Sequence, residues 1–223
     1  MQKFATTAAV STVLDIPAGR IQLIAADRAD ATVEVRPADA SKSRDVKAAK
    51  ETTVEFRDGV LRIAAAPAKS RIMGSSGFVD VTVQLPAGSH VTATVAVAEF
   101  RGVGRLGDLV LDGAQAQVKV DEAASARLTL QAGDVVLGRL GGPAEIGTQK
   151  GDITIAEAVR GAVALTTQYG TISVGAARGV SATLDAGTSY GRIHNALNNT
   201  EGAAAALNIR ATTSYGDITA RSI

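Results

Sequence analysis

The sequence predicts an all-β protein, a β-solenoid in which successive turns of chain stack on one another. The first observation is a recurring glycine. Gly133, Gly151, Gly170, Gly191 and Gly216 stand at intervals of 18, 19, 21 and 25 residues, and each is followed two places on by Val135, Ile153, Ile172, Ile193 or Ile218. The second is alternation: Val163 and Leu165, Leu184 and Ala186, and Ile209 and Ala211 place an apolar or small side chain at every other position, the period of a strand with one face inward. The third is composition. Apolar residues make up 46% of the 223 residues but aromatics only 3%, with no Trp, so Ala, Val, Ile and Leu must fill a narrow interior.

Each repeat then has its own parts. Thr148, Thr167, Thr188 and Thr213 stand three residues before a repeat glycine and form a polar ladder whose hydroxyls can bond one another or the backbone. Gly142, Gly161, Gly179 and Gly202 come about halfway round, so one period reads strand, corner, strand, corner. The apolar ladder reaches back to Val118. Equivalent residues of neighbouring coils should lie at the strand spacing of about 4.8 Å. No amphipathic helix separates the strands, which removes an α/β fold, and the leucine-rich-repeat pattern is absent.

The first third is strand-rich but irregular. Residues 10–36 read as two or three strands around a Pro17-Ala18-Gly19 turn, and 54–63 as a hairpin turning at Asp58-Gly59. Residues 78–97 add two strands around Pro86-Ala87-Gly88. The polar stretch 41–51 suits a short surface helix, and 68–77 a flexible loop. No linker is visible, so residues 1–90 are expected to form the first coils or a cap, continuous with solenoid repeats over 91–223.

Composition excludes several function classes. Basic and acidic residues nearly cancel, 23 against 22, which argues against a nucleic-acid binder. There is no Cys and there are only two His, His90 and His194, so neither a disulfide scaffold nor a thiolate or His-rich metal site is expected. No run of residues has the length and apolarity of a membrane span. The N-terminus, with one Lys and interspersed Thr and Ser, reads as part of the fold and not as a signal peptide, which predicts a cytoplasmic location.

Three motifs invite chemistry. Gly102 to Gly107 match GxGxxG, but strand-like sequence follows where a dinucleotide site needs a helix. Gly187-Thr188-Ser189-Tyr190-Gly191 matches GxSxG, yet His194 precedes Asp217, the wrong order for a nucleophile elbow, and the same corner recurs around Tyr169 and Tyr215. Asp134, Asp152 and Asp217 follow repeat glycines. Paired carboxylates could cleave glycosides, but Asp also favours such turns by bonding the local backbone. No catalytic residue, cofactor or metal is assigned.

The run of T-x-S/Y-G-D-I/V-x-I/V units, preceded by LDIPAG and VQLPAG, resembles a bacterial β-strand-repeat family of unknown function labelled "putative adhesin". The resemblance covers nearly the whole chain. It implies a right-handed single-stranded β-helix and surface adhesion, and it carries over no catalytic residues.

All three tyrosines, Tyr169, Tyr190 and Tyr215, immediately precede a repeat glycine, with Lys150 at the same place one coil earlier. Stacked coils make them a column that either only supports the fold or binds a partner. The expected function is a non-enzymatic interaction or scaffold module that binds a protein or a glycan. Two alternatives stand beside it. One is end-to-end self-assembly into a homo-oligomer through the last coil, at Asp217, Ile218 and Ala220; the other is a polysaccharide-active β-helix enzyme. The 25-residue repeat could instead fold its insertion, residues 194–206, over that end.

Overall fold

The computed structural model describes residues 1–6, 8–66 and 77–223. The chain is mostly strand and divides into two compact units, Met1–Ala116 and Gln117–Ile223. The loop expected over 68–77 lies, Gly77 apart, outside the described residues.

The first unit is a mixed sheet. Its strands are β1 (Gln2–Ala5), β2 (Ser11–Ala26), β3 (Asp30–Pro37), β4 (Thr53–Arg57), β5 (Val60–Ala64), β6 (Val79–Pro86) and the first part of β7 (His90–Ala132), with one helix, α1 (Ser43–Glu51). β2 runs parallel to β5, β6 and β7, while β3 is antiparallel to both β1 and β6. The inward row of β2, Leu14, Ile16, Ile21 and Leu23, is buried with Leu61, Ile63, Val83, Leu85 and Phe100. The β4–β5 hairpin turns at Asp58 and Gly59, whose φ of 52° and 76° are the two left-handed positions of a type I′ turn. The polar stretch forms the expected helix α1. Its buried Asp45 is satisfied by the Phe78 N–H, which donates to Oδ1 at 3.0 Å.

Pro17-Ala18-Gly19 does not end a strand. β2 continues through it and stays paired with β7 on both sides, Ile16 with Val95 and Gly19 with Ala98. Glycine is needed at this point because a Cβ on Gly19 (φ +154°) would lie 2.0 Å from the Val79 carbonyl oxygen.

The second unit is built from parallel rungs. It contains the rest of β7, then β8 (Val135–Leu140), β9 (Ala144–Lys150), β10 (Ile153–Ala158), β11 (Gly161–Tyr169), β12 (Ile172–Ala176), β13 (Ala182–Tyr190), β14 (Ile193–Ala196), β15 (Leu207–Tyr215) and β16 (Ile218–Ser222). One wall runs β7, β8, β10, β12, β16, β14, all parallel. The other runs β7, β9, β11, β15, β13. In the first wall Val118, Val135, Ile153, Ile172 and Ile218 fall in register and are buried. In the second, Leu128, Ile146, Leu165 and Ala211 do the same. GxGxxG lies wholly inside β7, and GxSxG ends β13 one residue past the strand.

The rungs do not follow chain order. The last coil, β15 and β16, inserts between the coil of β11 and β12 and that of β13 and β14. Asp217, Ile218 and Ala220 therefore do not form an open end. Ile218 is 1% exposed and pairs with Ile172 on one side and Ile193 on the other, while Ala220 lies between Val174 and Asn195. Among the described residues, β13 and β14 have no strand on their outer side. The register assigns the reason to Asn195. It occupies the position held by apolar Leu137, Ile155 and Val174, and an amide buried there without partners would cost about 1–3 kcal/mol. At the end of the stack it is exposed to water. The insertion after β14 reaches that end only at its start, where the Asn198 carbonyl accepts from Ala182 N–H, the Thr200 and Glu201 N–H groups donate to Ser181 Oγ, and Asn198 N–H donates to Ser222 Oγ; Ile193 remains 46% exposed.

Candidate functional site

The candidate site is the corner column of the second unit, and backbone crowding sets it. A Cβ on Gly151, Gly170, Gly216 or Gly191 would lie 1.9–2.1 Å from the carbonyl oxygen of a neighbouring corner glycine, so only glycine fits. The Thr ladder fixes the same corner. Thr167, Thr213 and Thr188 Oγ1 donate at 3.1 Å to the carbonyls of Gly151, Gly170 and Gly216. Of the two partners open to these hydroxyls, backbone and other hydroxyls, they take the backbone.

The aspartates hold the next residue of the corner. Asp134 Oδ1 accepts the Asp152 N–H at 2.9 Å, Asp152 Oδ1 accepts the Thr171 N–H at 2.7 Å, and Asp217 Oδ1 accepts the Arg192 N–H at 2.8 Å. Each carboxylate binds to the neighbouring coil instead of facing a partner carboxylate across a cleft. Among the described residues no three His, Asp or Glu side chains gather as a metal site, and no helix is long and apolar enough to cross a membrane. His90 Nδ1 lies 3.2 Å from Asp108 Oδ2, and His194 is an exposed residue of β14.

One residue before each corner glycine the tyrosines form their column. Its order is Lys150, Tyr169, Tyr215, Tyr190, because β15 lies between β11 and β13. Ring centroids are 5.0 Å apart for Tyr169 and Tyr215 and 4.9 Å for Tyr215 and Tyr190, with planes within 3° and 5° of parallel. Strand spacing imposes this distance, and it falls within the range in which aromatic pairs attract. The column is exposed: Tyr169 by 54%, Tyr215 by 47% and Tyr190 by 67%. The inner ring faces cover one another, so the column offers edges and hydroxyls to the side and one unstacked ring face at each end, that of Tyr169 on the Lys150 side and that of Tyr190 on the outer side. Sequence reasoning found these three residues but not their order. It also missed the open end at Leu184, Ile193 and Asn195, for which the two signals are the polar Asn195 and the long last interval.

The architecture is that of a mostly β protein whose recurring polar residues hold its own corners. The chain belongs to the Toastrack DUF4097 family, whose model matches residues 7–221. No curated protein matches it. Among solved structures it is similar to a "putative cell adhesion protein" from Clostridium sporogenes ATCC 15579, at 11% identity over 100% of this chain and 99% of that one, with a TM-score of 0.41. A "putative adhesin" from Bacteroides fragilis NCTC 9343 is 15% identical over 100% and 95% of the two chains, with a TM-score of 0.47. Another, from Parabacteroides distasonis ATCC 8503, is 15% identical over 100% and 95%, with a TM-score of 0.41.

Proposed function

We propose that this protein is a non-enzymatic interaction module whose second unit, a right-handed β-solenoid, presents the column Lys150, Tyr169, Tyr215 and Tyr190 to a protein partner. The parallel register of successive rungs supports the solenoid reading. The observation that carries the function is the stack itself: three tyrosines, each about half exposed or more, held parallel on a backbone that fixes their spacing. A surface of tyrosines pre-ordered in this way loses little side-chain entropy on binding, and Tyr is enriched where proteins meet. A protein suits it better than a glycan. Stacking uses up the ring faces on which a sugar would lie, and leaves edges and hydroxyls that suit a mixed polar and apolar surface. Against the polysaccharide-enzyme reading stand the acids that would serve it, since Asp134 and Asp152 accept backbone N–H groups at the corners.

The test compares the wild type with a Tyr169→Ala/Tyr190→Ala/Tyr215→Ala variant in cross-linking pull-downs and on a glycan array. The expected result is a protein that the wild type retains and the folded variant does not. Retention unchanged by the variant, or binding to glycans alone, would overturn the proposal.

A further inference from the structure

We infer that the second unit pairs with a second copy of this chain across β13 and β14, about a two-fold axis at the Tyr190–Gly191 corner, with Tyr190 stacked on the Tyr190 of the other copy. Three observations converge there. Among the described residues, β13 and β14 have no strand on their outer side, and at the start of β13 the Ala182 N–H is taken by the Asn198 carbonyl. Ile193, inward by its register with the buried Ile218, is 46% exposed, and Leu184, in register with the buried Ile209, is half-buried. The outer face of Tyr190, on the outermost strand, has no ring against it, while its inner face stacks on Tyr215.

A second copy fits all three. A two-fold axis at the corner lays β14 of one copy along β13 of the other, antiparallel, and brings the two open Tyr190 faces together. The stack of three becomes a stack of six. Charge does not oppose it. β13 carries one charged side chain, Asp185, held on the outward wall by Arg210 at 2.9 Å, and β14 carries no Lys, Arg, Asp or Glu. Arg192, next to the axis, has Asp217 at 4.0 Å. Edge strands that must stay unpaired are guarded by charge: β1 carries Lys3, and β4 carries Glu55 and Arg57. β14 has no such guard, and β13 has only Asp185, which is held by Arg210. The contact occupies the same edge of both copies, so assembly closes at two chains. It uses the outer ring face of Tyr190 and not the ring edges, so it does not depend on the partner surface proposed above.

Two measurements test it. In light scattering across a concentration series, the wild-type mass rises from one chain to two and stops, and Ile193→Lys holds it at one chain with the circular dichroism spectrum unchanged. The chain has no Cys, so Tyr190→Cys provides a single thiol. Mild oxidation links it into a disulfide dimer, while Tyr169→Cys, about 25 Å from its symmetry mate at five strand spacings, does not link. The cross-link also decides the matter should Ile193→Lys fail to fold. A mass of one chain at every concentration, growth beyond two chains, or equal linking by both Cys variants would overturn the inference.

Discussion

Tyr215 stacks on Tyr169, ring centroids 5.0 Å apart and planes 3° from parallel, although Tyr190 stands between them in sequence. Tyr215 therefore has a ring on each face, and Tyr169 and Tyr190 have one each. Each stacked pair contributes roughly 0.5–1.5 kcal/mol. Tyr215→Ala should lower the unfolding free energy in urea by about twice as much as Tyr169→Ala. Equal losses would mean that the stack adds nothing to stability.

The inserted last coil makes a sharper contrast. Ile218 is buried between two rungs, whereas Ile193 sits at the open end. An ionised carboxylate at Ile218 would be buried unpaired, so Ile218→Asp should cost about 3–5 kcal/mol and leave the second unit unfolded or nearly so. Ile193→Asp should leave the melting temperature within a few degrees of wild type. If the coils followed chain order, Ile218 would be the tolerant position.

Crowding at the corners predicts which glycines tolerate alanine. The Cβ of Gly170→Ala would lie 2.0 Å from the Gly151 oxygen, and a backbone must shift to admit it, at a cost of about 1–3 kcal/mol or more. A Cβ added at Gly147 would meet nothing within 4 Å, and Gly147 has no left-handed φ, so Gly147→Ala should be neutral or stabilising by up to about 1 kcal/mol. Denaturant midpoints of the two variants would show the difference.

The carboxylate of Asp152 matters as a hydrogen-bond acceptor. Asp152→Asn keeps an oxygen for the Thr171 N–H and should change stability little, while Asp152→Ala should cost about 1 kcal/mol in a chemical melt. Equal losses from both variants would show that the charge is what counts.

In the first unit, Asp30 gives a pH signature. A hydrogen bond from Arg28, and another from Lys3, lower its pKa from 3.8 to about 2. The folded value lies below the unfolded one, so the stabilisation is fully present above about pH 4 and is lost as pH falls towards 2. Asp30→Asn should flatten the pH dependence of stability in that window and leave it unaltered in slope above pH 5. An unchanged acid limb in the variant would mean that the pair makes no contribution.

Much of this was legible in the sequence. The Asp58-Gly59 hairpin, the helix near residues 41–51 and the strands on either side of Pro86-Ala87-Gly88 rest on local backbone chemistry, and each formed where that chemistry placed it. The corner glycines and the Thr, Asp and Tyr beside them were legible because crowding repeats at every rung. Sequence alone thus determined the rungs, their register and the side chains of the column. Only the tertiary structure decided their order. Thr, Tyr and Gly repeat at each corner, so any coil fits against any other, and spacing cannot rank the neighbours. What ranks them is the polar Asn195, which stays exposed only at the end of the stack; the pairs Arg210–Asp185 and Asn208–Thr183 join β15 to β13 and would form in either order. The coil that would lose most by being covered lies at the end, because a buried amide without partners costs more than an exposed isoleucine.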